Sequence, residues 1–139
     1  MKLTPIGTAH TEYQTKEEAP KQGKYSDKTA TIEIFSEYKK GLEDVSDLEF
    51  IVVLYWQDKS DRSTLSAQPP FANREYGVFA TRSPNRPNPI ALCVCELVSV
   101  EDNKLEVTGL DALDGSPILD IKAYSQDIDT NKSVTKDDQ

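Results

Sequence analysis

The apolar residues of this chain fall into short runs separated by turns and polar loops, and this pattern limits the possible folds more than any other feature. Phe50–Trp56 and Ile90–Val100 are apolar along much of their length, which predicts two buried strands. Ala30–Phe35, Leu105–Leu110 and Ile118–Tyr124 predict three more. No predicted strand is followed by a convincing crossover helix, so the pattern favours a small, single-domain, all-β barrel or sandwich over a doubly wound sheet.

Weaker signals fill the rest of the chain. Leu3–Gly7 predicts a short opening strand, Gly77–Thr81 another short strand, and the apolar spacing between Tyr38 and Leu48 a short helix. Thr11–Lys28 is a long polar loop of the kind that is usually functional or disordered. Few apolar residues follow Tyr124, so we expect a barrel domain over residues 1–124 and a disordered tail over 125–139.

Charge and composition exclude several classes of protein. The net charge of −8 gives no general attraction for nucleic acid, so a polyanionic partner must meet a local basic patch or one completed by a second subunit. No apolar run reaches the roughly 20 residues of a membrane helix, and the N-terminus lacks the apolar stretch of a signal peptide, which predicts a cytoplasmic protein. Cys93 and Cys95 are too few for a zinc site, and we interpret them, like Trp56, as core residues.

The segment Gly77–Ile90 differs from the rest of the chain. Its three prolines, at positions 84, 87 and 89, fix their own backbone angles and bias each preceding residue towards an extended conformation. We call Arg82–Pro89 the proline loop: a stiff segment that loses little entropy on binding and carries Arg82, Arg86 and Asn88. Two arginines so close together in an acidic chain favour a site for an anion or carboxylate over a rigid turn whose arginines pair with surface acids.

A second candidate segment is the tight turn Leu113-Asp114-Gly115-Ser116, which Pro117 follows. Gly115 permits close approach of a ligand to the backbone, although taken alone the turn is more typical of an ordinary hairpin.

Together these segments resemble the TsaA-like (YaeB, TrmO) family. Its hallmark phrase, Gly-Val-Phe-Ala-Thr-Arg-Ser-Pro-x-Arg-Pro-Asn-Pro-Ile, is intact at Gly77–Ile90, and its second phrase is matched by Leu113–Lys122. Pro5-Ile6-Gly7 and Pro20-Lys21-Gln22 are similar to the opening of the family, so the resemblance extends in order to Tyr124.

The resemblance implies a compact β-barrel that binds S-adenosylmethionine, acts as a homodimer and methylates the exocyclic amine of a threonylcarbamoyl-modified adenosine beside the tRNA anticodon. Carried over by motif, the cofactor contacts are Pro20, Lys21, Gln22, Gln57, Asp58, Arg82, Leu92, Leu113, Asp114, Gly115 and Ser116. Arg86 and Asn88 are the residues that we expect to orient the methyl acceptor, and no metal is implied.

The chain departs from the family pattern at four positions. Gln57 stands where the family usually has His, and a glutamine cannot take up a proton at neutral pH. Ala91, Ser116 and Ala123 stand where the family has Gly, Thr and Pro. Two alternatives therefore remain open beside a tRNA methyltransferase: a module that binds S-adenosylmethionine without transferring its methyl group, and a methyltransferase that acts on a small molecule.

Overall fold

A computed structural model describes residues 1–15, 17–19 and 28–130 of the chain. The strands formed within these residues are β1 Gly7–His10, β2 Thr29–Ile34, β3 Phe50–Trp56, β4 Ser66–Ala67, β5 Tyr76–Gly77, β6 Ile90–Glu101, β7 Lys104–Thr108 and β8 Pro117–Ala123. Six of them close into an antiparallel barrel in the order β1-β2-β7-β6-β3-β8, and β4 pairs with β5 outside it. The prediction of a small all-β barrel is confirmed.

The core fills the inside of the barrel with alternate residues of each strand. On β3 these are Ile51, Val53 and Tyr55, and on β6 the buried residues include Cys93 and Cys95. Side chains on a strand alternate between its two faces, so two cysteines at positions i and i+2 point the same way. Both are free and buried, which confirms their interpretation as core residues.

The prediction that the β3 and β6 runs are buried is wrong for one face of each strand. The outward side chains are half-buried or exposed, and the register sets them side by side as Val52 with Val94, Leu54 with Leu92 and Trp56 with Ile90. The reason is that a barrel offers a strand only one interior, so the other face of an apolar strand stays outside. Trp56 is accordingly an outer residue and not part of the core. We call this surface the outer apolar face: Phe50, Val52, Leu54, Trp56, Ile90, Leu92 and Val94.

Three other predicted elements are corrected. The opening strand begins at Gly7, where Leu3–Gly7 was predicted to end, because the barrel partner Ile118 lies opposite Gly7. The predicted helix consists of two 3₁₀-helices, Ser36–Leu42 and Val45–Asp47, separated by Asp44 in the left-handed region (φ 69°). The predicted strand Gly77–Thr81 is a 3₁₀-turn, Val78–Ala80, that follows β5.

The segment beyond the predicted domain end carries one short helix. In α1, Gln126–Asp129, the backbone N–H of Ile128 donates to the Ser125 side chain, a normal N-cap. Residues 131–139 of the predicted tail lie outside the described residues. None of the described helices has the length and apolar character to span a membrane.

Candidate functional site

Three loops meet at one end of the barrel, which we call the loop end. The strand register places Trp56, the last residue of β3, opposite Ile90, the first of β6. At the same end β1 finishes and β8 begins, and β7 finishes opposite the start of β2. The loops that join β1 to β2, β3 to β6 and β7 to β8 therefore all leave and return at this end. These loops hold every predicted site residue except Leu92.

The proline loop is braced from within. The Thr81 hydroxyl donates to the Val78 carbonyl (2.9 Å) and accepts from the Ser83 backbone N–H (3.2 Å). The Nη1 atom of Arg86 donates to the carbonyl oxygens of Thr81 and Ser83, at 3.0 Å each. Side-chain bonds of this kind fix a segment that has no regular secondary structure. Arg86 is half-buried, so part of its guanidinium stabilises the loop and only its remaining N–H groups can meet a substrate.

A second arginine, which the sequence analysis missed, fixes the far end of the loop. Nε of Arg62 donates to the Pro87 carbonyl (2.7 Å) and Nη2 to Oδ1 of Asn88 (3.3 Å). The same guanidinium lies over the Trp56 ring, 5.1 Å from its centroid. Arg62 therefore holds the Asn88 side chain in one orientation. No sequence signal marked it, since it lies in a polar loop 25 residues from Pro87.

Backbone and amide contacts complete this attachment. The Asp61 backbone N–H donates to Oδ1 of Asn85 (2.9 Å), and the Gln57 backbone N–H donates to the Pro89 carbonyl (2.9 Å). Two bonds from Ser63, one from its hydroxyl and one from its backbone N–H, lower the pKa of the Asp61 carboxyl. The predicted pair Gln57 and Asp58 directly follows β3, and through Gln57 it is brought against the proline loop.

The second predicted segment, the Asp-Gly turn, is docked on the end of β1. The Gly115 N–H donates to the Ala9 carbonyl (2.8 Å), and the Asp114 N–H donates to the Tyr13 carbonyl (2.7 Å). Oδ1 of Asp114 accepts from the Thr11 backbone N–H (3.0 Å), yet the side chain stays exposed. Gly115 has φ 86°, a region that L side chains rarely adopt, and the space where its side chain would stand is open.

Ser116 stabilises the conformation of this turn. The Ser116 hydroxyl donates to the Leu113 carbonyl (2.7 Å), and Ser116 is buried, so its role in the described structure is to close the turn. A threonine, the family residue here, carries the same hydroxyl.

A buried polar group ties the β7–β8 loop to the barrel wall. The Tyr55 hydroxyl donates to Oδ1 of Asp111 at 2.6 Å. Burial of the Tyr55 ring, and then the negative charge of Asp111, raise the pKa of Tyr55 far above its ordinary value. The Cys93 thiol donates to the Gly109 carbonyl (2.8 Å). The hydrogen bond with Cys93 and burial raise the pKa of the Cys95 thiol, so Cys95 stays protonated and is no nucleophile.

The predicted residues thus divide into four groups. Gln57, Asp58, Arg82, Arg86 and Asn88 lie in or against the proline loop, and the turn from Leu113 to Ser116 lies across the same barrel end. Leu92 lies apart from both, 49% exposed on the outer apolar face. Pro20, Lys21 and Gln22 lie outside the described residues, in the loop between β1 and β2.

Arg82 is the most accessible charged group of the proline loop. Its side chain is exposed, and within the described part of the chain its guanidinium makes no hydrogen bond or ion pair. It differs in this from Arg62 and Arg86, which both hold the loop itself. Two surface hollows, of about 500 and 380 Å³, contain none of the predicted site residues.

Comparisons with known proteins identify the family of the chain. The family described as the tRNA-methyltransferase O N-terminal domain matches residues 8–130. An S-adenosyl-L-methionine-binding protein of Archaeoglobus fulgidus is 53% identical over 129 residues, which are 93% of each chain. A putative S-adenosylmethionine-dependent methyltransferase of Pseudomonas aeruginosa is 34% identical over 130 residues, 88% of this chain and 54% of that protein.

The fold is also found among solved structures. The crystal structure of TrmO from Pseudomonas aeruginosa superposes with a TM-score of 0.80 at 28% identity, covering 97% of this chain and 60% of that one. The chain therefore spans about three fifths of the length of that structure. Since a match to the family extends over residues 8–130, the chain belongs to the family of tRNA-methyltransferase O N-terminal domains.

Proposed function

We propose that this protein is a cytoplasmic, S-adenosylmethionine-dependent methyltransferase that methylates N6 of threonylcarbamoyl-modified adenosine next to the tRNA anticodon. One observation carries the proposal: the proline loop and the turn Leu113–Ser116, which belong to the two family phrases, lie at the same end of the barrel, and the proline loop is held rigid by its own hydrogen bonds. Relatives named for binding S-adenosylmethionine and a structural relative named TrmO support the cofactor and the substrate class.

The groups at the loop end suit such a cofactor. S-adenosylmethionine carries a carboxylate, an ammonium group, a sulfonium and ribose hydroxyls. Arg82 offers an exposed guanidinium for a carboxylate, and Asp114 an exposed carboxylate for the ammonium group or the ribose hydroxyls. The open space beside Gly115 lets a ligand approach the backbone of the turn.

The chain's contribution to the reaction is chiefly positioning. When bound, the cofactor supplies an electrophilic methyl group, whose carbon–sulfur bond breaks with the electron pair left on sulfur while the amine nitrogen forms the new bond. The braced proline loop presents Asn88 and the free N–H groups of Arg86 to the acceptor at little entropic cost. A threonylcarbamoyl group bears a carboxylate, which suits Arg86 or Arg82. The proton released from the amine passes to water.

A methyl-transfer assay tests the proposal. The protein is incubated with S-adenosylmethionine labelled in its methyl group and with tRNA that either carries or lacks the threonylcarbamoyl modification. We expect label to enter the modified tRNA only, at the adenosine beside the anticodon. Label in neither tRNA, together with tight cofactor binding by calorimetry, would support the alternative of a binding module, which the replacement of the family His by Gln57 favours.

We also propose that two copies of the chain pair through the outer apolar face. The face contains seven apolar side chains from adjacent strands, three of which are large and exposed on β6. Contiguous apolar surface of this kind is typical of an interface and costly to leave in water. Leu92 lies opposite Leu54 in this face and is also the one predicted cofactor contact that stands apart from the loops. A second copy seated here would bring its own residues to Leu92 and complete the site.

The substitution Val94→Glu tests this pairing. Val94 lies on the outer apolar face opposite Val52, so a carboxylate there would be desolvated in a dimer and harmless in a monomer. We expect a dimer for the unsubstituted protein and a monomer for Val94→Glu by light scattering. The control is Val98→Glu, a position on the same strand that is 51% exposed, against 39% for Val94, and lies beyond the part of β6 that pairs with β3. Equal masses for Val94→Glu and the unsubstituted protein would contradict the proposed interface.

A further inference from the structure

The basic side chains of this acidic chain are unevenly distributed. All four arginines lie between positions 62 and 86. Residues 59–86 carry five basic side chains and two carboxylates, a net charge of +3, so the remainder of the chain carries −11. We call residues 59–86 the arginine lobe. It extends from the loop end of the barrel, includes the small β4–β5 sheet and runs into the proline loop.

The arginine lobe also exposes aromatic rings. Phe71 is 96% exposed and Phe79 is 80% exposed. Burying a phenylalanine side chain gains about 1.5–3 kcal/mol, so two rings left in water on one small lobe indicate a contact surface. A third ring, Tyr76, is covered by Arg74, whose guanidinium carbon lies 3.7 Å from the ring centroid.

Rings and guanidinium groups in this combination match the chemistry of unpaired nucleotides. Single-stranded nucleic acid is bound by aromatic side chains on which bases stack and by cations that follow the phosphates. Arg74, whose guanidinium stacks on Tyr76, follows Phe71 by three positions. A base-paired helix has no free base faces to offer the rings, so the surface suits a loop and not a duplex.

We propose that the arginine lobe binds the unpaired nucleotides that flank the methyl acceptor, with Phe71 and Phe79 as stacking platforms and Arg74 as a phosphate contact. The substrate assignment rests on the proposed function, whereas the stacking surface stands on exposure and charge. It also explains how a chain of charge −8 meets a polyanion, because the lobe that contacts the RNA carries a net charge of +3.

The double substitution Phe71→Ala/Phe79→Ala tests the surface. Both rings are exposed, so the thermal unfolding midpoint and the calorimetric affinity for S-adenosylmethionine stay unchanged. The probe is a fluorescent anticodon stem-loop RNA, followed by anisotropy at two salt concentrations, beside the same stem closed into a continuous duplex. Stacking on one ring is worth about 5-fold or more in affinity, so we expect the double variant to bind the stem-loop at least about 25-fold more weakly.

Two matched variants test whether a loss of RNA affinity is caused by the loss of the stacking rings. Ile128→Ala removes an equally exposed apolar side chain outside the lobe and is expected to leave RNA affinity unchanged. Phe71→Trp/Phe79→Trp keeps the stacking faces and is expected to restore the affinity.

The outcomes separate this inference from the proposed function. Methyl transfer to tRNA with equal RNA affinity in the double variant would overturn the stacking surface and leave the function standing. Weakened RNA binding by the double variant of a protein that transfers no methyl group would support the surface alone. If the double variant became monomeric while its RNA affinity stayed unchanged, the rings would belong to a protein interface, and the inference would be wrong. No measurable affinity of the unsubstituted protein for the stem-loop would overturn it too.

Discussion

Arg62→Ala is expected to loosen the proline loop while the barrel stays folded. The substitution removes the charged hydrogen bond to the Pro87 carbonyl (2.7 Å), the longer bond to Asn88 (3.3 Å) and the stack on Trp56 (5.1 Å). A hydrogen bond to a charged group is worth about 1.5–3 kcal/mol, and about 1 kcal/mol is reasonable at this exposed site. Stacking on an exposed ring adds about 0.5–1 kcal/mol. The loop should lose about 2 kcal/mol of local stability.

Hydrogen exchange measures that loss directly. The Ile90 N–H donates to the Asn88 carbonyl (2.7 Å) and the Gln57 N–H to the Pro89 carbonyl (2.9 Å), so both amides exchange when the loop opens. A loss of about 2 kcal/mol predicts an exchange rate about 30-fold faster at these two positions. Trp56 is the only tryptophan in the chain, so quenching of its fluorescence by acrylamide reports the lost stack independently.

Arg74→Ala is the matched control for Arg62→Ala. It removes an arginine of the same lobe that is also stacked on a ring. In the described structure this arginine contacts Tyr76 and the Glu75 carbonyl and not the proline loop. If methyl transfer is confirmed, Arg62→Ala should lower kcat about 10- to 30-fold through the freed Asn88 side chain and leave cofactor affinity nearly unchanged. Exchange rates and quenching equal to those of Arg74→Ala would refute the reasoning.

Three further predictions concern the scaffold. Gly7→Ala should prevent stable folding, since the new Cβ would lie 2.3 Å from the Glu33 carbonyl oxygen. The control is Gly41→Ala, whose new Cβ would have nothing within 4 Å, so its unfolding midpoint should be unchanged or slightly raised. Gly115→Ala should cost about 1–2 kcal/mol of unfolding free energy in denaturant melts, because an L side chain is strained at φ 86°; an unchanged midpoint would contradict this. Tyr55→Phe should cost about 2 kcal/mol at neutral pH. The pKa of Tyr55 is raised in the folded state, so the contribution of its hydroxyl to stability is present below the ordinary pKa of 10 and is lost as the pH rises above that value. Between pH 9 and 11 the unfolding free energy of Tyr55→Phe should therefore fall less than that of the unsubstituted protein.

The sequence was a good guide to elements with a strong local cause. Short apolar runs without crossover helices predicted the all-β fold, and the prolines predicted a stiff loop between Arg82 and Pro89. The sequence was a poor guide where contacts between residues far apart in the chain determine the structure. Both faces of β3 and β6 carry apolar side chains, so local pattern could not show that only one face enters the barrel. The start of β1 at Gly7 depends on Ile118, more than a hundred residues away.

By itself the sequence determined the family, the barrel and the two segments that carry the candidate chemistry, because turn glycines, prolines and apolar alternation act over a few residues. Only the tertiary structure decided which arginines stabilise the proline loop and which one stays exposed. Closure of the barrel sends three loops to one end, where Arg62 and Arg86 become braces of the proline loop and Arg82 stays exposed. A guanidinium group has the same chemistry in every case, and the carbonyl oxygens that the fold places within its reach determine whether it holds the protein or remains available for a ligand.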